Sequence, residues 1–175
     1  AYITDKEKGF LPFIVLTMFA GLRPESEALR MDWDSIDLEG GLVFVRSDRG
    51  KNVKSARTVE LSKSAIEWLL LCDRSKPIAP ANWMVRWKQL REEAGILKWK
   101  PDTLRHSFCT YLYGITRDKG KLIASMGHVD DEVLGFYLQV NPNAAKAAKL
   151  YFELSPEQVL GQGETKVIPI STATA

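Results

Sequence analysis

The 175 residues are 45% apolar and 26% charged, the balance of a soluble globular domain with a real core. The longest apolar stretch, Phe10 to Leu22, contains Pro12 and is too short to span a bilayer. The formal net charge is only +2 but uneven: residues 45–63 hold six Lys/Arg against two Asp/Glu, residues 84–128 nine against four, and residues 153–175 one lysine against three acids. A basic body with an acidic tail points to a polyanionic partner, although ordinary surface scatter gives the same counts. Cys72 and Cys109 have no CxxC or metal-site spacing, so a reducing compartment is expected and no metal site.

Residues 7–20 read as a helix rich in Phe, Leu and Ile, apolar nearly all round and therefore buried. Pro24 in "GLRPESEALRMDW" suits the first turn of a second helix, with Glu25 and Glu27 near its positive end. The period then changes. Short β-type runs at 36–38, 43–46 and 57–60, split by Gly-Gly and a polar loop, predict a small antiparallel sheet. Helical periodicity returns over 62–72, 82–94, 103–115, 119–126, 131–138 and 143–152, with Asn82, Asp102 and Asp118 as expected N-caps. Residues 161–175 read as a flexible tail, which leaves 1–160 as the expected domain. The fold class is mixed α/β, mainly α-helical with a small three-stranded antiparallel sheet.

Such an outline does not name a function, so the candidate site residues must. Arg23 follows an apolar helix and precedes a proline, near orphan backbone groups. It suits planar, bidentate phosphate binding, and equally a surface pair with Glu27 four residues on. Arg105, in "PDTLRHSFCTYL", stands in the first turn of a helix, where free N–H groups and the dipole favour an anion; an ion pair with a neighbouring acid is the plainer alternative. His128 follows Gly127 in a tight inter-helix turn. Tyr137 lies nine residues further on, and its plainer alternative is a core aromatic.

In combination, "GLRPESE", a lysine-bearing hairpin, "LRHSFCTYL", "MGH" and a tyrosine nine residues later resemble the catalytic domain of the tyrosine recombinases, the phage-integrase type. The resemblance covers roughly residues 5 to 152. It implies a DNA-breaking and rejoining enzyme without cofactor or metal. Arg23 and Arg105 would be its two catalytic arginines, His128 the third-box histidine and Tyr137 the nucleophile. It implies a general acid from the hairpin loop, where Lys51 is favoured over Lys54; Lys54 and His106 would then bind DNA. Arg23, Arg105 and His128 are expected to converge on one accessible basic pocket. The expected partners are double-stranded DNA and, in the full-length protein, further copies in a tetrameric synapse, with the isolated chain monomeric and no membrane. The expected setting is cytoplasmic, bacterial or phage-encoded, and associated with the nucleoid.

Two positions depart from the family pattern. Asp102 stands where the family usually has His or Lys, and "RPESE" is one residue longer than the usual arginine-to-glutamate spacing, with Glu27 as the match. The family's N-terminal DNA-clamping domain is expected to be absent from this chain, since the apolar helix leading to Arg23 begins almost at residue 1. A type IB topoisomerase and a non-catalytic DNA-binding relic on the same fold are the competing readings. The order of "LRHSF", "MGH" and tyrosine favours the recombinase over the first, and Asp102 keeps the second open.

Overall fold

Helix α1, Leu11–Phe19, is the centre of the structure. Leu11, Phe13, Val15, Leu16 and Phe19 are all buried, because neighbours cover the helix on several sides. Each such side chain contributes on the order of 1.5–3 kcal/mol by leaving water. Thr17 is buried among them without an orphan hydroxyl, since Oγ1 donates to Phe13 O at 2.8 Å. The computed structural model describes residues 8–46, 56–127 and 144–161.

Three strands form an antiparallel sheet in the order β1, Ile36–Asp37; β2, Leu42–Val45; β3, Arg57–Glu60. The register pairs Ile36 with Val43 and Val43 with Val59. Alternation then sends Val43, Val45 and Val59 into the core and leaves Phe44 and Thr58 outside.

Around α1 lie α2, Lys63–Leu70; α3, Trp83–Glu93; α4, Thr103–Thr116; α5, Lys119–Met126; α6, Ala144–Phe152; and the short α7, Pro156–Leu160. Helices α2 and α4 both pack on α1, and α6 packs on α4. Mainly helical, with one small sheet, the chain has the predicted fold class. Among the described residues no helix is long and apolar enough to cross a membrane.

Three local expectations are corrected. The predicted second helix after Pro24 is absent: residues 24–27 form turns, followed by a single 3-10 turn at Ala28–Arg30. The Glu27 side chain turns inward and accepts from the Arg23 main-chain N–H at 2.8 Å, which closes the segment on itself. Asp118 caps α5 by accepting from Lys121 N at 3.0 Å, but Asn82 and Asp102 make no side-chain cap. Asp102 instead sits in the left-handed region, at φ 58°, while Thr103 Oγ1 donates to Lys100 O at 2.7 Å. The predicted helix at 131–138 and the tail beyond 161 lie outside the described residues.

Candidate functional site

Two glycines with positive φ frame the site. Gly21, at φ 63°, turns the chain out of α1 against the face of Phe108; a Cβ there would stand 2.3 Å from Phe108 Cδ1. Gly127, at φ 60°, ends α5 beneath Arg57, and a Cβ there would lie 2.9 Å from Arg57 Nη1. Only glycine fits both the conformation and the space.

Between them, three guanidinium groups surround one carboxylate. Arg57 Nη1 and Nη2 donate to Glu27 Oε1 and Oε2 at 2.9 and 2.8 Å, and Arg57 Nε donates to Ser125 O at 2.7 Å. Arg23 Nη1 donates to Glu27 Oε1 at 2.6 Å, and its Nη2 to Gly127 O at 3.1 Å. Arg105 Nη1 lies 3.8 Å from Glu27 Oε2 and donates to Gly21 O, while Nη2 donates to Met126 O at 2.8 Å. Fork-shaped donors and a two-oxygen acceptor make this planar geometry possible.

The electrostatics follow from burial and charge count. Burial opposes ionisation of Glu27, but the hydrogen bonds and charge of Arg57, the Arg23 N–H and the charge of Arg105 outweigh it. The carboxyl is held down at about 2. Arg105 is pulled down to about 10, first by burial and then by repulsion from Arg23 and Arg57, with Glu27 and Asp102 opposing. Even so it is protonated at neutral pH. Three cations against one buried anion leave an excess of positive charge, a seat for an anion at the accessible edge.

That edge belongs to Arg23, whose side chain is 36% exposed; those of Glu27, Arg57 and Arg105 are 6–8% exposed. Arg23 and Arg105 are thus brought together, with Arg105 beneath the surface rather than open to it. The carbonyls of Met126 and Gly127 that they hold immediately precede His128. His106, next to Arg105, points the other way: it is exposed and lines a shallow cavity with Lys100 and Thr110 on the outer side of α4. His128, Tyr137, Lys51 and Lys54 lie outside the described residues.

Sequence reasoning missed Arg57. It counted only as one of many basic residues in 45–63, and its signal was its place at the start of a strand whose next inward position is the buried Val59. It also missed a cavity of about 510 Å³ beside Arg23, lined by Phe13, Trp83, Trp87, Trp99, Arg91 and Asp102 among others. Tyr151, on α6, is packed against Phe19 and Tyr111, and its hydroxyl donates to Met18 O. Burial raises its pKa, which keeps the phenol neutral.

A mainly helical domain with a small three-stranded antiparallel sheet is the fold of recombinase and integrase catalytic domains. The chain belongs to the phage integrase family, whose model matches residues 7–144. It is 30% identical over 156 residues to tyrosine recombinase XerC of Xylella fastidiosa, in strains M23 and Temecula1 alike. That match takes in 79% of this chain and 51% of the relative, so the chain spans about half the length of the curated relatives it matches. In fold it is similar to the XerA recombinase, with a TM-score of 0.57 and 19% identity over 87% of this chain and 65% of that one. It is also similar to the Tn1549 transposon integrase in complex with transposon right-end DNA, with a TM-score of 0.59 and 18% identity over 85% and 60% of the two chains.

Proposed function

We propose that the protein is a site-specific DNA recombinase that cuts and rejoins DNA through a covalent 3′-phosphotyrosyl intermediate. The observation that carries this reading is the meeting of Arg23 and Arg105, distant in sequence, on one buried glutamate beside Gly127. Family membership supplies the class of chemistry.

In this mechanism the scissile phosphate sits at the Arg23 edge. The two arginines neutralise the charge that builds on its oxygens in the pentavalent transition state. His128 donates a further hydrogen bond. A phenol ordinarily titrates near 10, so the nucleophile Tyr137 must give its proton to solvent and relies on that positive field to attack as a phenolate. Its oxygen bonds to phosphorus as the bond from phosphorus to the 5′-oxygen breaks, and Lys51 supplies the proton to the departing oxygen; Lys54 is the other candidate. The phosphodiester energy is stored in the protein–DNA link, so a second 5′-hydroxyl reverses the step on a new strand. Lys54 binds the duplex nearby, while His106, on the outer side of α4, could reach DNA only away from the cut; self-association on DNA, as a tetrameric synapse in the full-length protein, brings the strands together.

The test is a duplex nicked next to the cut, which traps the covalent intermediate. The wild-type chain should form an adduct that survives denaturation, and Tyr137→Phe should form none. A wild-type chain that binds duplex but never forms the adduct would favour the second reading, a DNA-binding relic. Asp102 supports that alternative, since it sets a carboxylate on the wall beside Arg23.

A further inference from the structure

The cavity beside Arg23 is not needed to hold a phosphate, yet it is built with unusual walls. Trp83 and Trp87, one turn apart on α3, pack against Phe13 of α1 and Phe10 just before it: Phe13 lies 5.7 Å from Trp83, and Phe10 5.7 Å from Trp87, between ring centroids. Trp99, from the segment after α3, meets Trp87 edge to face at 5.0 Å. All three indoles stay partly exposed where they line the cavity. Trp33 and Trp68, by contrast, spend their indole N–H groups on main-chain carbonyls, Lys76 O and Leu154 O.

Arg91 stands 5.8 Å from the centroids of both Trp87 and Trp99. Its Nε is shut off from solvent and has no hydrogen-bond partner, alone in this among the buried side-chain nitrogens and oxygens of the described residues. That nitrogen is wedged behind the rings, while the rest of the Arg91 side chain lines the cavity and brings its charge to the wall. Across the cavity Asp102 offers a carboxylate, held there by a left-handed backbone. The site therefore asks for a flat π-system with at least one acceptor for Arg91 and a donor for Asp102. It shares a wall with Arg23, so a group attached to a phosphate held at Arg23 lies at its mouth.

We propose that this cavity takes a nucleobase swung out of the duplex next to the phosphate seated at Arg23. The inference rests on the recombinase reading above, which provides the DNA. Rotation about the backbone carries the base from its stack into the cavity, where tryptophan faces replace the stacking neighbours it has left. The Arg91 guanidinium, through its terminal nitrogens, donates to a ring acceptor or carbonyl of the base. Asp102 accepts from an exocyclic amine, so cytosine or adenine fits better than thymine. The strand around the cut is thereby held open for exchange.

The test compares three low-salt duplexes: fully paired, with one unpaired cytosine, and with an abasic site in place of that cytosine. The full chain should bind the unpaired-cytosine duplex about tenfold more tightly than the abasic one, the effect of one or two stacking rings. Trp99→Leu removes a wall that lies outside the main core. It should abolish this preference, bringing the unpaired-cytosine duplex down to the affinity of the abasic one. Arg91→Gln provides a second, independent reading of the same loss. Asp102→Asn should narrow the preference for cytosine over thymine at the unpaired position. Equal affinity of the wild type for the cytosine and abasic duplexes, or a preference that survives both Trp99→Leu and Arg91→Gln, would overturn the cavity assignment and leave the recombinase reading standing. Displacement by free cytidine monophosphate at micromolar concentration would reassign the cavity to a mononucleotide. Failure to bind any duplex would remove both proposals together.

Discussion

Arg57 holds Glu27 through both carboxylate oxygens, at 2.9 and 2.8 Å, and so ties the start of β3 to the turn that carries Arg23. Neither side chain is more than 8% exposed. The pair is a base plate: Glu27 faces Arg23 and Arg105 as well, so the position of both depends on a contact that neither makes alone.

Glu27→Gln keeps the shape and removes the charge. Three guanidiniums then face one another without their shared anion, and loss of one partner from such a buried cluster costs about 3–5 kcal/mol. Urea unfolding should show that loss. Lys63→Ala, which removes an exposed pairing with Glu67 at 3.7 Å, should change stability by roughly 0.5 kcal/mol or less. Equal effects of the two substitutions would show that Glu27 is not the hub.

Acid should act through the same group. The Glu27 carboxyl has a folded pKa of about 2, below its ordinary 4.5, so the folded state binds fewer protons than the unfolded one between those values. Its contribution to stability is complete above about pH 4.5 and fades as pH falls toward 2. A depression of that size corresponds to roughly 3 kcal/mol. The unfolding free energy of the wild type should therefore fall through this window, and that of Glu27→Gln should fall by that much less. Parallel pH curves for the two proteins would contradict the assignment.

Why was part of this legible in sequence and part not? The strands were, because alternation at Val43, Val45 and Val59 is a period-two signal with one buried face. So were α1, α2, α4 and α5, whose apolar spacing fixes a helix before any partner is known. The turn after Pro24 was not, because "PESEALR" has helical propensity and what breaks it is a long-range demand: Glu27 must reach Arg57, thirty residues away. Arg105 was legible as a candidate, but its depth was not, since burial of an arginine depends on the carbonyls of Gly21 and Met126 that meet it only in the fold. The tryptophan cavity was hidden for the same reason. Trp83 and Trp87 read as one helical stripe, and nothing in the spacing says that Trp99 will close over them.

Asp102 tests how far capping logic applies. It occupies the N-cap position of α4 but makes no cap hydrogen bond and sits at φ 58°. Asparagine tolerates that conformation as well as aspartate does. Asp102→Asn should therefore keep stability within about 0.5 kcal/mol, and Asp102→Gly should be at least as stable, since glycine relieves the strain. Both changes remove a negative charge from the wall beside Arg23, so both should tighten paired-duplex binding at low salt, with the gain shrinking as salt rises. Loss of a full kcal/mol in Asp102→Gly, which has no side-chain oxygen to cap with, would restore the capping role that the structure denies.

Tyr151 separates a structural tyrosine from a reactive one. Tyr151→Phe removes the hydrogen bond to Met18 O and leaves the carbonyl without that partner, at a cost of about 1–2 kcal/mol. Covalent adduct on the nicked duplex should persist at temperatures where the variant is folded. Disappearance of the adduct in folded Tyr151→Phe would move the nucleophile to Tyr151 and undo the role proposed for Tyr137.

The segment after Tyr137 could be held by its own domain or offered to a neighbouring copy, and the structure favours the first for residues 144–154. Helix α6 lies along α4, with Ala148 fully buried and Phe152 edge-on to Phe108 at 6.0 Å. Ser64 Oγ donates to Phe152 O at 2.9 Å, and Trp68 Nε1 to Leu154 O at 2.9 Å, so α2 grips the end of α6 through its main chain. Leu150 is 62% exposed, and Tyr151 and Phe152 pack on the core instead, because the helix turns its 148–151–152 face toward α4. A chain ending at residue 143 would uncover their partners on α1, α2 and α4. It would also strand the Trp68 indole N–H and the Ser64 hydroxyl. The loss of two large side chains alone is roughly 3–6 kcal/mol. Urea unfolding of the truncated chain should show at least that loss, with near-ultraviolet circular dichroism weakened as the ring contacts around Tyr151 disappear. A truncated chain as stable as the parent would mean that α6 is only loosely laid on its own domain and is available to another copy.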